Sequence, residues 1–107
     1  MDEQPYTLAR WRVRPGEAEA FIAAWGELAA FFLSLKAPPH WGTLLRCAED
    51  PQLFYSFGPW PSMETIAAMR GHPGTSGAIG KLTSLCDDSE LGVFMVVASA
   101  GEASPVE

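Results

Sequence analysis

Basic residues are scarce in this chain. Seven lysines and arginines stand against thirteen aspartates and glutamates in 107 residues, a formal net charge of -6. No basic run occurs, which argues against nucleic acid and anionic membranes as partners, because both are held through Lys/Arg clusters on phosphates. Long apolar runs are also missing: none approaches the ~20 residues of a membrane-spanning helix. The opening MDEQP lacks the basic start and apolar core of a signal peptide, so a soluble cytoplasmic protein is expected. Cysteine is limited to Cys47 and Cys86, without metal-type spacing. In a cytoplasmic chain they are expected as buried free thiols and not as a bridge. There is no Gly-rich phosphate loop, no nucleophile elbow and no HExxH. No cluster of His, Cys and acids has ligand spacing, so neither a metal nor a cofactor is expected.

What the chain does have is apolar residues, 48% against 19% charged. A small domain leaves much of its surface exposed, so this balance suggests a surface buried against a partner. The length suits one domain, placed at 1–100, with a small polar tail at 101–107 expected to be loose.

Tyr6 to Val13 alternates loosely and predicts a strand that Pro15-Gly16 ends. Glu17 and Glu19 then open an Ala-rich helix. Its apolar face carries Phe21, Trp25, Leu28, Phe32 and Leu35, and Pro38-Pro39 forbid its continuation. Trp41 to Cys47 and Leu53 to Phe57 predict strands joined as a hairpin through Ala48 to Gln52. Ser62 caps a helix to Met69, and Gly71 to Gly74 break it. Thr75 to Leu85 predicts a weaker helical piece. Asp87-Asp88-Ser89 reads as a turn, and Leu91 to Ala100 as a last strand. The order βαββαβ is the split βαβ, ferredoxin-like α+β arrangement, one four-stranded antiparallel sheet with helices on one face. Both faces of the last strand are apolar, Leu91, Val93, Met95 and Val97 on one side and Phe94 and Val96 on the other. The face without helices is therefore expected to pack on the sheet of a second copy, as a symmetric homodimer.

The junction LFYSFGPWPSMETIAAMR, Leu53 to Arg70, fixes Trp60 between Pro59 and Pro61 at the mouth of a strand–helix turn. Two readings of Trp60 are open. It could wall a pocket for a flat ring and donate its indole N–H to a ligand oxygen, or it could be a core anchor bonded to a backbone carbonyl. With the βαββαβ order, the Trp60-Pro61-Ser62 turn and the METIAAMR helix resemble the antibiotic biosynthesis monooxygenase family over nearly the whole chain. The resemblance implies a dimeric α/β barrel with a cavity between sheet and helices in each subunit. Members include cofactor-free oxidisers of phenolic polyketides or quinols, and heme degraders. Trp60 matches the family's tryptophan. Many members carry a glutamate where this chain has Gly58 and a histidine where it has Met69. The asparagine and the heme-ligating histidine of the heme-degrading branch fall near Ala9 and Ile79, so heme degradation is not implied.

The candidate bases are His72 and His40, the chain's two histidines. The alternative for each is an exposed loop residue. The candidate substrate-binding residues are Trp60, Arg10, Trp25, Phe32 and Ser56. Arg10, Arg12 and Arg14 alternate along the first strand. Arg10 could hold a substrate oxyanion, or all three could pair with acids at a barrel rim or dimer interface. Trp25 and Phe32 are core residues first and ligand walls second. The expected function is a cofactor-independent monooxygenase acting on a small phenolic or quinol-type aromatic compound. The alternative is a non-catalytic homodimeric module that binds a small ligand or assembles with itself.

Overall fold

The structure, a computed structural model, describes residues 4–101. Strand β1 (Pro5–Val13) buries Pro5, Ala9, Trp11 and Val13, and turns Tyr6, Leu8, Arg10 and Arg12 to the opposite face, as a period of two dictates. It is followed by α1 (Ala18–Leu33), β2 (Thr43–Arg46), β3 (Leu53–Pro59), α2 (Met63–Gly71), α3 (Pro73–Thr83) and β4 (Cys86–Met95). The strands form one antiparallel sheet in the order β2-β3-β1-β4, with β1 and β3 central. This is the expected α+β, ferredoxin-like topology, its second helical unit divided into α2 and α3.

Local chemistry explains the division. Ser62 caps α2 through a capping box, its hydroxyl accepting from the Thr65 N–H at 3.1 Å while the Thr65 hydroxyl accepts from the Ser62 N–H at 3.2 Å. A single residue, His72, separates α2 from α3. It is extended (φ -72°, ψ 133°), as the residue before a proline prefers, and Pro73 opens α3.

Several element boundaries differ from the sequence expectation. Helix α1 ends at Leu33 and not Leu35, with the Ser34 hydroxyl donating to the Phe31 carbonyl at 2.7 Å. Strand β2 is confined to Thr43–Arg46. Strand β3 continues through Pro59, because the Pro59 carbonyl accepts from the His40 N–H and the Trp60 N–H donates to the Pro5 carbonyl. The largest difference is in β4. Asp87-Asp88-Ser89, expected as a turn, is strand, and the strand ends at Met95 and not Ala100. Arg10 stabilises this polar stretch from the adjacent β1, binding Asp88 at 3.0 Å and Glu90 at 3.3 Å. The tail residues 102–107 lie outside the described residues.

Two apolar clusters join the sheet to the helices. One contains Trp11, Val13, Phe21, Phe54 and Leu82, with Phe21 set between Trp11 and Phe54 at ring-centroid distances of 5.5 and 5.2 Å. The other contains Trp60, Ile66 and Met69, with Phe32 edge-on to Trp60 at 5.3 Å. On the face away from the helices Trp41 packs edge-on against Tyr6 and Phe57, whereas Leu45 is 50%, Tyr55 38% and Phe94 53% exposed. Among the described residues no helix is long and apolar enough to cross a membrane.

Candidate active site

A cavity of about 170 Å³, partly open to solvent, lies between the sheet and the helices. Its position follows from side-chain size. On the helix-facing side, β1 presents Thr7, Ala9 and Trp11, and β3 with its extension presents Ser56, Gly58 and Trp60. Each strand thus offers a hydroxyl, a small residue and an indole at i, i+2 and i+4. The strands are antiparallel, with Thr7 opposite Gly58 and Ala9 opposite Ser56. The small residues therefore form a shallow floor, with Trp11 at one end and Trp60 at the other. Trp25, Leu28 and Phe32 of α1 and Met69 of α2 form the helical side of the lining.

Each indole bonds to the other strand's hydroxyl. The Trp11 indole N–H donates to Ser56 Oγ at 3.0 Å, and the Trp60 indole N–H donates to Thr7 Oγ1 at 3.0 Å. Trp60 therefore meets neither a backbone carbonyl nor open space. A hydroxyl that accepts from an indole keeps its own proton to donate. Neither hydroxyl donates to another group among the described residues, and both line the cavity. The floor can accordingly offer two O–H donors to a ligand.

Of the sequence candidates, Trp60, Trp25, Phe32 and Ser56 are brought together on the cavity wall. His40, His72 and Arg10 are not. His40 is exposed, and its backbone N–H is bonded to Pro59. His72 caps α3, its Nδ1 accepting from the Gly74 N–H at 2.9 Å, with its ring against Phe31 at 5.1 Å. With Nδ1 so engaged, His72 serves as the cap of α3 and is not part of the cavity lining. Arg10 lies on the opposite face of the sheet, bound to Asp88 and Glu90. Those carboxylates raise its pKa, and Arg10 in turn holds the Asp88 carboxyl below its ordinary range. Arg12 pairs with Asp50 at 3.0 Å, and Arg14 donates to the Ser84 and Cys86 carbonyls. The Asp50 carboxyl is also lowered, first by the Gln52 N–H and then by Arg12. Both cysteines are free, and burial raises the Cys86 thiol. Among the described residues no cluster of three or more His, Cys, Asp or Glu is placed to hold a metal ion.

Thr7, Trp11 and Arg70 line the cavity but were not among the sequence candidates. The repeat Thr7-x-Ala9-x-Trp11 and Ser56-x-Gly58-x-Trp60 is the signal that identifies the first two.

Solved structures share this architecture. SnoaB, a cofactor-independent oxygenase from Streptomyces nogalater, superposes in a variant form with a TM-score of 0.84 at 24% identity, covering 95% of this chain and 100% of that one. A candidate antibiotic biosynthesis monooxygenase from Bordetella bronchiseptica gives 0.77 at 16% identity, over 91% of this chain and 100% of that one. Another, from Chloroflexus aurantiacus J-10-fl, gives 0.72 at 22% identity, over 92% and 97%. The chain has the fold of the antibiotic biosynthesis monooxygenases. No family model and no curated protein matches it.

Within that fold, the positions where the resemblance expects other side chains acquire a physical meaning. Gly58, in place of a glutamate, has no room for any side chain, since a Cβ there would lie 2.2 Å from the Trp41 carbonyl oxygen. Met69, in place of a histidine, is buried in the cluster around Trp60. Ala9 and Ile79, at the heme-branch positions, both line the cavity as apolar surface.

Proposed function

We propose that this protein is a cofactor-independent monooxygenase that oxidises a small phenol or quinol in the cavity between sheet and helices. The observation that carries this reading is the pair of indole-anchored hydroxyls, Thr7 and Ser56, on the floor of an aromatic-walled, largely apolar cavity. Size restricts the substrate. An apolar cavity of about 150 Å³ takes benzene, so this one holds about one substituted ring, with anything larger at the open side.

The substrate itself supplies the electrons. A phenol with a free para position, or a quinol with a free ring carbon ortho to a hydroxyl, reacts with O₂ to give a quinone or hydroxyquinone and water: the phenolate passes an electron to O₂, the radicals join as a C–O bond at that carbon, and the ring peroxide loses water. No histidine or acid lines the cavity, so ionisation depends on stabilising the phenolate. Hydrogen bonds to a charged oxygen are worth about 1.5–3 kcal/mol each. Each hydroxyl donor to the phenolate therefore lowers a phenol's pKa of about 10 by roughly one to two units, before the opposing effect of desolvation. The proton leaves through the open side. The indoles fix both hydroxyls at no further cost in side-chain order, which is preorganisation for a developing oxyanion.

The same cavity without a base is also what a binding module would have. Against that reading, Phe32 and Met69 wall the cavity and do not fill it, and Trp60 shares it with a cation, Arg70. Oxygen uptake with hydroquinones and anthrones separates the two. Turnover that falls by roughly 10²-fold in both Ser56→Ala and Trp60→Phe supports catalysis. Uptake no faster than the uncatalysed rate with every compound supports the module. We further propose that the sheet face away from the helices, with Leu45, Tyr55 and Phe94 exposed, pairs with a second copy. A sedimentation mass of one chain, 11.6 kDa, at micromolar concentration would refute this.

A further inference from the structure

Arg70 alone carries a formal charge among the residues that line the cavity. It sits in the last turn of α2, one residue after buried Met69 and four after buried Ile66. That spacing sets it on the flank of the helical face that packs on Trp60. Most other cations have partners: Arg10 and Arg12 pair with acids, Lys81 binds Glu27 at 2.7 Å, Arg14 donates to carbonyls, and Arg46 lies 4.9 Å over the Phe54 ring. Arg70 makes no ion pair among the described residues, and Lys36, which also makes none, lies outside the cavity. A cation at a helix C-terminus complements the helix dipole, which accounts for an arginine in this turn. It does not account for a guanidinium that borders an aromatic cavity and has no acidic partner among the described residues.

We infer that the substrate carries an acidic group, a carboxylate, remote from its phenolic oxygen and away from the ring carbon that is oxidised, and that Arg70 is the specificity-determining residue that binds it. This rests on the reading of the cavity as the site of aromatic oxidation. The two ends of such a substrate then match the two layers of the fold. The phenolic oxygen meets Thr7 and Ser56 on the sheet, and the carboxylate meets the guanidinium on the helical layer. A carboxylate buried among apolar walls without a partner is strongly disfavoured, so its place is the solvent-accessible side, where Arg70 is exposed. Arginine suits this task because its fork binds both carboxylate oxygens. The net charge of -6 repels an anion at long range, so selection of an acidic substrate needs a local cation, and Arg70 is the one present.

The test compares two probes that differ only in this charge, 6-hydroxy-2-naphthoate and its methyl ester. All four tryptophans line the cavity, so binding is read as quenching of their fluorescence. In the wild-type protein the acid is expected to bind about tenfold tighter than the ester, the scale of a charge-assisted contact at a solvent-exposed site. Arg70→Gln is expected to reduce that ratio to about one, Arg70→Lys to retain part of it, and about 0.5 M salt to weaken it in the wild type. A loss of folding would change both affinities together, whereas loss of the contact changes the ratio. Equal affinities in the wild type, or a ratio unchanged in Arg70→Gln, overturn the inference. If the probes bind equally while neutral quinols are still oxidised, the site assignment stands and only the acidic substrate is refuted. If neither probe binds, the aromatic site is refuted, and the acidic substrate with it.

Discussion

Replacing Gly58 with alanine adds one methyl group where the chain has no space for it. The new Cβ would lie 2.2 Å from the Trp41 carbonyl oxygen and 3.2 Å from both the Trp41 carbonyl carbon and the Gly42 Cα. All three are backbone atoms, so no side chain can rotate away. The strap before β2 would have to move outward by about 1 Å to restore ordinary contact. That movement strains the His40 N–H to Pro59 carbonyl bond, now 3.0 Å. Overpacking of this kind costs about 1–3 kcal/mol and the strained hydrogen bond about 1 more. Reduced entropy of the unfolded chain returns about 0.4–1 kcal/mol. The net destabilisation is about 2 kcal/mol, which in a domain of this size lowers Tm by roughly 10 °C. Because the strap carries Pro39, Trp41 and Gly42 of the lining, affinity for an aromatic probe should fall as well. Thermal unfolding followed by circular dichroism measures the first effect. Gly26→Ala is the control, in the exposed interior of α1 with nothing within 4 Å of the added Cβ. It should raise Tm, since alanine is favoured over glycine in a helix by about 1 kcal/mol. A Gly58→Ala protein as stable as the wild type would refute the account of the strap.

Thr7→Val leaves the indole N–H of Trp60, a residue only 1% exposed, without its acceptor. A stability loss of about 1–3 kcal/mol by chemical denaturation is expected. Most of it should vanish when Trp60→Phe is already present, and additive losses would contradict the pairing. The Asp50 and Asp88 carboxyls titrate in the folded chain below their ordinary values, so they add stability that is complete at pH above about 5 and fades as pH falls through their folded pKa values. The midpoint of denaturant unfolding should therefore drop between about pH 4 and pH 2, and the double variant Asp50→Asn, Asp88→Asn should flatten that drop. An unchanged acid limb would show that the Arg10 and Arg12 pairs contribute nothing.

The topology was legible because it depends on patterns longer than any one side chain. Alternation in β1, the apolar stripe of α1 and the Ser62 cap each specify an element, and their order leaves few arrangements. The start of β4 was not legible, because Asp87 and Asp88 read as turn residues until Arg10 is placed beside them by the sheet register. The positions of the histidines are hidden from the sequence for a related reason. Histidine is the side chain that titrates near neutrality, so chemistry singles it out, but His72 is consumed by capping α3 and His40 lies outside the cavity. Arg10 was recognised as a cation on β1, yet the strand period puts it opposite Thr7, Ala9 and Trp11. Trp60, Trp25, Phe32 and Ser56 were legible as wall residues because their elements face the core.

The location of the cavity was also encoded, in a form that single residues do not reveal. A packed sheet–helix interface requires filling side chains at every inward position. Thr7, Ala9, Ser56 and Gly58 are four adjacent inward positions occupied by small residues, and the large indoles at either end hold the helical layer away from them. The void is therefore a consequence of residue size along two paired strands. Its polarity arises in the same way, because each indole at i+4 must place its N–H and the hydroxyl at i of the other strand is within reach. One short pattern, repeated on antiparallel neighbours, accounts for the space, the two donors and their fixed orientation. A core anchor and a pocket wall are then the same tryptophan: Trp60 is buried on the face toward Ile66 and Met69, and its N–H positions Thr7 toward the cavity.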